Sequence, residues 1–195
     1  MKNPFIVGKA VYLRPHVKED IERWCQWRND RRVTEWMYAG TYPNTKELQE
    51  EFFTRIMHGE QQHHLQLAIV DIETDELVGT QSLTAIDSVN RRAEYAIVIG
   101  ENVRGKGLGR EAAALIHWHA FSTLNLHRIW AGQNESLSQW RDVLVKHIGY
   151  KEEGILRDQM WKHNRWWNVH MIGCLDNDFW VKWQGHWKEY FQGSL

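Results

Sequence analysis

The sequence contains few of the residues that build disulfide frameworks, linkers or membrane spans. Only two of its 195 residues are cysteine and only three are proline. Cys25 and Cys174 lie far apart without ligand-like spacing, so we expect two reduced thiols rather than a disulfide or a zinc site. No apolar run approaches the ~20 residues of a membrane-spanning helix. We therefore expect one cytoplasmic domain without a signal peptide.

The chain also lacks an excess of charge of either sign. It carries 24 Lys and Arg residues against 25 Asp and Glu residues, a formal net charge of −1. No field therefore draws the whole protein towards nucleic acid or an anionic membrane, and we expect neither as a partner. By the same reasoning, a strongly polyanionic or polycationic substrate is not expected.

Tryptophan is the residue that the chain has in quantity, with twelve copies. Trp buries a large apolar ring and needs a partner for its N–H group. These tryptophans either belong to the core and to a partly hydrated surface, or they have a functional role and form the wall of a binding cleft or a subunit interface.

Periodicity along the chain predicts a mixed set of strands and helices. Strands are predicted at 10–14, 65–71, 76–85, 92–99, 128–132, 151–156 and 167–175. Helices are predicted at 18–28, after a capping box at Asn44–Glu47, at 110–124 and at 136–147. This order indicates an α/β or α+β domain with a single central mixed sheet flanked by helices.

The most informative segment is the glycine loop at 104–109, where the strand at 92–99 must turn into the next helix. Glycine allows positive φ and close approach of backbone N–H groups to a ligand, and a helix N-terminus favours negative charge. The expected ligand is a phosphate, and more specifically a pyrophosphate. Lys106 is followed by Gly107, so the P-loop pattern fails. The spacing of Gly105, Gly107 and Gly109 also departs from a dinucleotide fingerprint.

Arg104, Gly107 and Gly109 instead fill the pattern Arg/Gln-x-x-Gly-x-Gly/Ala. On these residues the chain resembles the GNAT superfamily of acetyl-CoA-dependent N-acetyltransferases. Within that superfamily it resembles the Rim-type branch of ribosomal-protein and amino-sugar acetyltransferases. Two further segments extend the resemblance over nearly the whole chain: Leu13-Arg14-Pro15 with Trp27-Arg28-Asn29-Asp30, and His147-Ile148-Gly149-Tyr150 with Glu153-Gly154.

The resemblance implies the GNAT fold over residues 1–195 as one domain, with 176–195 as an aromatic C-terminal extension. That fold has a mostly antiparallel central sheet and a β-loop-α core that binds acyl-CoA. The implied cofactor is acetyl-CoA as co-substrate, without a metal, and the implied assembly is a monomer or a homodimer. The backbones of three strand residues would pair with pantetheine, and the loop would hold the pyrophosphate. The cofactor-binding residues are then Ile97, Val98, Ile99, Arg104, Gly105, Lys106, Gly107, Leu108, Gly109, Arg110 and Asn134.

Acetyl transfer to an amine needs a base, a donor to the developing oxyanion and an acid for the leaving thiolate. Glu94 is our candidate base, because the branch often carries a carboxylate there. A solvated strand glutamate is the alternative. The backbone N–H of Val98 or Ile99 is the candidate oxyanion donor. Ser138 is the first candidate acid, Ser136 the second and Tyr150 the third, although a packing role fits Tyr150 better.

The predicted function is transfer of an acetyl group to a primary amine by direct attack on the thioester. The acceptor would be a peptide N-terminus, an amino sugar or another small amine, held by Trp27, Trp36 and Trp166. Two alternatives stay open. One is an acyl-CoA-binding sensor or scaffold without turnover, and the other is a protein-protein module built on the aromatic residues at 179–191.

Overall fold

The structure is a computed structural model that describes residues 1–58 and 63–183. Eight strands form one sheet in the order β1-β2-β3-β4-β5-β6-β8-β7. Strands β5 and β6 run parallel, and every other neighbouring pair is antiparallel. The strands are β1 Ile6–Val7, β2 Val11–Arg14, β3 Leu65–Asp71, β4 Leu77–Asp87, β5 Arg92–Ile99, β6 Arg128–Asn134, β7 Lys151–Lys162 and β8 Arg165–Leu175. The predicted mixed, mostly antiparallel sheet is confirmed.

Within residues 1–58 and 63–183, six α-helices flank this sheet, together with two short 3-10 turns and one π-helical turn. The α-helices are α1 Asp20–Asn29, α2 Arg31–Thr34, α3 Lys46–His58, α4 Leu108–Ser122, α5 Ser138–Val143 and α6 Asp176–Trp183. The 3-10 turns are Glu101–Val103 and Glu135–Leu137, and the π-helical turn is Leu144–Ile148. Within the described ranges, no helix is long and apolar enough to cross a membrane.

Helix α4 packs on one face of the sheet and contributes most of the main core. Its buried residues include Ala112, Leu115 and Ile116, which are less than 1% exposed. The Gln81 side chain on β4 donates to the Ala112 carbonyl at 2.9 Å, and Tyr95 on β5 packs edge-on against His117 of α4. Odd-numbered residues of β5 therefore face α4, as strand alternation requires.

The opposite face of the sheet carries a second, smaller core under α1 and α3. Ile21, Trp24, Trp27 and Val33 form its buried centre, and Val98 of β5 packs against it. Even-numbered residues of β5 thus face α1 and α3, which places the two helical layers on different sides of the same strand.

Three local predictions were wrong at their boundaries. Thr45, not Asn44, caps α3, because its Oγ1 accepts a hydrogen bond from Leu48 N–H at 3.2 Å. The helix predicted at 136–147 is divided into a 3-10 turn, α5 and the π-helical turn. Strand β7 continues to Lys162, well past the predicted end at Leu156, because a register shift between Leu156 and Met160 lets the pairing resume.

The aromatic C-terminal segment is part of the core as far as it is described. Phe179 is fully buried and Trp183 is 7% exposed, and both pack into the main core near α4. The Trp183 indole donates to the His147 carbonyl at 2.9 Å. These residues do not form the partner surface considered from the sequence, and residues 184–191 of that surface lie outside the described ranges.

Candidate active site

The central feature of the site is an opening between the two parallel strands. Strands β5 and β6 share three residue pairs, which end at Glu94 and Trp130. Beyond that pair, β5 stays paired with β4 and β6 stays paired with β8. Over the described chain, the facing edge of β5 from Tyr95 to Ile99 therefore has no strand partner. An open edge of this kind offers backbone donors and acceptors to an extended ligand.

Strand geometry decides which amides of β5 face the opening. The Gly100 N–H donates to the Val78 carbonyl on β4 at 2.9 Å. Donor direction alternates along an antiparallel ladder, so the Val98 N–H also points to β4. The N–H groups of Ile97 and Ile99 point the other way, into the opening. Of the two oxyanion donors considered from the sequence, only Ile99 therefore faces a ligand.

The glycine loop lies between this open edge and α4. Gly105 and Gly107 have φ of 80° and 82°, which glycine adopts without strain, and Gly107 is the residue before the first turn of α4. Among the described residues, no hydrogen bond uses the N–H groups of 105–109. Arg110 N–H donates to the Gly107 carbonyl, and the Val103 and Arg104 N–H groups donate within their own turn. Five successive donors at a helix N-terminus form an anion cradle.

The predicted cations of the loop differ in their surroundings. The Arg104 guanidinium donates to the Arg32 carbonyl at 3.1 Å and lies 2.7 Å from the Glu101 carboxylate. Arg104 therefore ties the loop to α2 rather than standing free for a ligand. Lys106 and Arg110 are exposed beside the cradle.

One wall of the cradle was not predicted. A Cβ placed on Gly109 would lie 3.2 Å from the Ile99 side chain and 3.7 Å from the Trp140 ring, so α5 approaches the loop closely. The Trp140 Nε1 and the Arg141 Nη1 are buried without a hydrogen-bond partner in the described structure. Periodicity did not identify these residues, because the irregular helix at 135–148 obscures which side of it faces the loop.

The remaining predicted cofactor-binding and acid residues differ in burial: two are buried and two are exposed. Asn134 is 2% exposed, its Oδ1 accepts from Ser136 N–H at 2.9 Å, and its amide donates to the Met160 sulfur at 3.4 Å. Ser136 and Ser138 are exposed at the start of the following helical segment. Tyr150 is 1% exposed, and its hydroxyl bonds His117 Nε2 at 2.8 Å inside the main core. The packing alternative therefore describes Tyr150, and its assignment as an acid does not fit.

Glu94 lies at the closed end of the opening. It pairs across β4 with Thr84 and across β6 with Trp130, and it shares the face of Ala96 and Val98. Partial burial raises the pKa of the Glu94 carboxyl above its ordinary value, and a hydrogen bond with Thr84 opposes that change. A carboxyl group with a raised pKa is better suited to accept a proton near neutral pH than an ordinary one.

On the same face, a small cavity lies where the sheet meets α1 and α3. Its volume is about 30 Å³, and Val98 of β5 forms part of its wall. Trp27 is 9% exposed and packs against the end of β5, where a Cβ on Gly100 would lie 3.0 Å from its Nε1. The lining residues are Trp24, Trp27, Arg28, Val33, Thr34, Met37, Gln49, Phe52, Gln66, Thr80 and Val98.

A buried polar network supports the floor of this cavity. The Thr80 hydroxyl lies 3.1 Å from His16 Nε2, and His16 Nδ1 lies 3.2 Å from the Asp20 carboxylate. Asp20 also accepts two hydrogen bonds from the Arg14 guanidinium, each 2.8 Å long. Burial lowers the pKa of His16 and favours its neutral form.

The other two predicted acceptor tryptophans lie away from the cavity wall. Trp36 packs edge-on against Trp167 with ring centres 4.7 Å apart. Trp166 is 54% exposed and packs on Trp161 of the β7-β8 hairpin. Lys162 in this hairpin donates to the Thr34 and Ala39 carbonyls. The structure therefore groups Trp27 with the cavity, whereas Trp36 and Trp166 belong to the hairpin and the segment after α2.

Comparison with known protein families decides what this arrangement is. The acetyltransferase (GNAT) domain family matches residues 10–147. The chain belongs to the GNAT family. It is an acetyl-CoA-dependent N-acetyltransferase. In the described residues, no group of three or more His, Cys, Asp or Glu side chains could hold a metal ion.

Individual relatives agree with this assignment. The uncharacterized N-acetyltransferase p20 of Bacillus licheniformis is 30% identical over 172 residues, covering 88% of this chain and 96% of that protein. The spermidine N(1)-acetyltransferase of Escherichia coli K12 is 27% identical over 163 residues, covering 82% and 83%. The crystal structure of spermidine N-acetyltransferase from Vibrio cholerae with CoA and spermine has a TM-score of 0.80 at 22% identity, covering 87% of this chain and 98% of that one. At 22% identity, this structural similarity shows that the two chains share a fold and carries no further conclusion.

Proposed function

We propose that this GNAT enzyme acetylates the primary amine of a small molecule at the opening between β5 and β6. The carrying observation is the spatial order along β5. The anion cradle at 105–109 lies beyond the strand's carboxyl end, the free amides of Ile97 and Ile99 follow, and Glu94 lies at the closed end. This order matches a CoA molecule that enters at its pyrophosphate and presents its thioester beside β5.

The cradle would hold the pyrophosphate, and the edge of β5 would pair with pantetheine. Five unpaired N–H groups at the start of α4 provide fixed partial positive charge for the phosphates. Lys106 and Arg110 add charge from the exposed side. Trp140 closes the loop from α5. Asn134 would act by shaping the end of β6 rather than through a free amide.

The chemistry would follow direct transfer. An alkylammonium has a pKa near ~10.4, so the acceptor must lose a proton before it attacks. Glu94 would take that proton, directly or through water. The amine nitrogen then bonds to the thioester carbon, the Ile99 N–H stabilises the oxyanion, and the C–S bond breaks. The nitrogen then releases its extra proton as the amide forms, and Ser138, with Ser136 as the second candidate, would pass a proton to the leaving thiolate and take this one in return.

The wider setting of the enzyme is also proposed. The GNAT domain would span 1–195 and act in the cytoplasm, where its two free cysteines stay reduced. It would work as a monomer or a homodimer. Membership of the Rim-type branch is supported by a putative ribosomal N-acetyltransferase of Bacillus subtilis, YdaF, that is 26% identical over 160 residues.

The experiment is a transfer assay that follows both products. Acetyl-CoA is mixed with the enzyme and a panel of small amines, a peptide and an amino sugar. Release of CoA thiol and the mass of the acetylated amine are then measured together. Equal amounts of thiol and N-acetylated product support the proposal. Tight CoA binding with no acetylation of any amine would instead support the non-catalytic sensor.

A further inference from the structure

Arg28 is a cation in the wall of the small cavity, and no counter-ion for it is present among the described residues. It lies one residue after Trp27 on α1 and is partly buried. In the described parts of the chain, its guanidinium forms no hydrogen bond and no ion pair. Burial lowers the pKa of Arg28, yet a guanidinium stays protonated at any physiological pH. A partly buried guanidinium without a partner among the described residues is available to an anion that enters the cavity.

Trp24 adds a second unsatisfied donor to the same cavity. Its Nε1 is buried and has no hydrogen-bond partner in the structure as described. An indole N–H can only donate, so no internal rearrangement of the ring turns it into an acceptor. Trp24 is held by edge-on contacts with His16 and Phe52, which fix the direction of its N–H.

The described part of the cavity wall offers no carboxylate to balance these donors. None of its described lining residues is Asp or Glu, and the buried Asp20 carboxylate is already paired with Arg14. The Gln66 amide donates to the Thr80 hydroxyl, so this donor already has a partner within the protein. The unsatisfied groups are thus donors and one is charged, so the complementary ligand is an anion.

We propose that the amine acceptor carries a carboxylate, and that Arg28 and Trp24 hold this carboxylate in the cavity while the amine reaches the thioester. The inference rests on the proposed function, because it identifies the acceptor of that same site. A guanidinium can bind a carboxylate through two parallel hydrogen bonds, which fixes orientation as well as position. A volume of about 30 Å³ has room for the two oxygen atoms of a carboxylate.

Val98 connects the two halves of the site. It lines the cavity with its side chain, and its strand neighbour Ile99 presents an N–H to the opening. An acceptor anchored beside Val98 therefore needs only a short aliphatic link between carboxylate and amine. Amino acids of short chain length have this form.

The same charge argues against a polyamine in this cavity. A diamine would place its second ammonium group beside Arg28, and no carboxylate among the described wall residues would offset the repulsion. The relatives named for spermidine act on a polycation, so this chain would differ from them in acceptor while it keeps the donor site.

The test uses three acceptors that differ only in the group remote from the amine. They are 4-aminobutanoate, butylamine and 1,4-diaminobutane, which end in a carboxylate, a methyl group and an ammonium group. The same trio is repeated with shorter and longer chains. For each acceptor, kcat/KM is measured from CoA thiol release and confirmed by the mass of the product. The carboxylate member is expected to be preferred at one or more chain lengths.

Substitutions then assign that preference to the cavity. Arg28→Gln is expected to lower kcat/KM for the carboxylate member by roughly 10- to 100-fold, the loss of a charged hydrogen-bonded pair, and to lower the ratio of carboxylate to methyl member accordingly. Trp24→Phe keeps an aromatic side chain but removes the pyrrole part of the indole together with its N–H, with an expected loss of roughly 3- to 10-fold for the carboxylate member. Arg23→Gln is the matched control, since Arg23 is an exposed arginine on the same helix that does not line the cavity. CoA affinity, measured by calorimetry, serves as the check of folding for each variant.

The outcomes separate this inference from the proposed function. If amines are acetylated but the methyl or ammonium member is preferred at every length, the carboxylate site is wrong and the proposed function stands. The carboxylate site is also wrong if Arg28→Gln leaves unchanged the ratio of kcat/KM for the carboxylate member to kcat/KM for the methyl member. If no amine is acetylated although CoA binds, the proposed function fails. Calorimetric binding of 4-aminobutanoate to the wild-type complex, and its loss in Arg28→Gln, then still decides the carboxylate site.

Discussion

Glu94 on β5 lies opposite Trp130 on β6, and this is the last residue pair that the two parallel strands share. Everything proposed for the donor side follows from the divergence after it. The strand edge from Tyr95 to Ile99 becomes available to a ligand, and the glycine loop at its end begins α4. A sheet that stayed paired along its whole length would have no place for pantetheine.

Replacing Gly107 by Val should weaken CoA binding more than it weakens the fold. A Cβ at Gly107 would approach only the Arg110 side chain, at 4.0 Å, so the new side chain would enter the space of the cradle. The positive φ costs about 1–2 kcal/mol of stability for a non-glycine residue, which lowers Tm by only a few degrees. CoA affinity, measured by calorimetry, is expected to fall by roughly tenfold or more, the equivalent of one or more lost hydrogen bonds.

Gly154→Val is the matched control for that experiment. Gly154 lies on the exposed strand β7, where a Cβ meets nothing within 4 Å and φ is not positive. Its CoA affinity should equal that of the wild type. An equal loss of affinity in both variants would show that the Gly107 effect is not local to the cradle.

The pH dependence of the reaction should carry the signature of Glu94. Its pKa is raised by burial, so activity should fall as the pH drops through that raised value and the carboxylate becomes protonated. Glu94→Gln should lower kcat by about 10²–10⁴-fold, the usual contribution of a general base, while CoA affinity is unchanged. Thr84→Val removes a hydrogen bond that favours the ionised form, so the acidic limb of the kcat/KM profile should move to higher pH. A profile that is the same in all three proteins would exclude Glu94 as the base.

The buried Arg14-Asp20 pair should make the fold sensitive to acid. Burial raises the pKa of Asp20, but hydrogen bonds from Arg14, His16 and the Val17 N–H outweigh it and hold the pKa well below its ordinary value. The ionised pair therefore stabilises the fold fully above the pKa of Asp20 in the unfolded chain, about 3.9. This stabilisation is lost as the pH falls towards the pKa of Asp20 in the folded protein. Asp20→Asn leaves Arg14 buried without its counter-ion and should cost about 3–5 kcal/mol at pH 7.

Thermal melts from pH 2 to pH 7 measure this effect. The wild-type Tm should fall steeply below pH 4, and the Asp20→Asn variant should lose that part of the pH dependence. Parallel curves for the two proteins would mean that the pair does not stabilise the fold.

The C-terminal helix should be required for stability rather than for partner binding. Phe179 is fully buried against the main core, so Phe179→Ala should lower the free energy of unfolding by about 3–5 kcal/mol. Val181 lies two residues along the same helix and is 67% exposed, so Val181→Ala should change it by less than about 0.5 kcal/mol. Urea unfolding of both variants measures the difference. Similar losses would place Phe179 outside the core.

Sequence patterns predicted the strands closest to the site with high accuracy. The bounds predicted for the strands at 65–71 and 92–99 are those observed, because alternating apolar residues end at clear turns there. The loop at 104–109 was identified by its glycines, whose positive φ the structure confirms for Gly105 and Gly107. Those signals are local, so no knowledge of the tertiary structure was needed to interpret them.

The acceptor side depended on contacts that sequence does not encode locally. Arg28 was noted only as part of a motif. Its lack of a counter-ion among the described residues becomes visible only when α1, α3 and the sheet are placed together around the cavity. Trp166 was grouped with Trp27 by residue type, although the hairpin places it on Trp161 instead. The helix at 136–147 was predicted as one regular element, although the structure divides it into a 3-10 turn, α5 and a π-helical turn.

Residue-resolved amide hydrogen exchange, with and without CoA, tests the donor site most directly. The N–H groups of Ile97, Ile99 and 105–109 have no internal acceptor in the described structure, whereas the Val98 N–H is already bonded to β4. CoA is therefore expected to slow exchange at Ile97, Ile99 and the five loop amides, and to leave Val98 little changed. Saturating CoA that slows none of these loop and edge amides would contradict the account of where the cofactor binds.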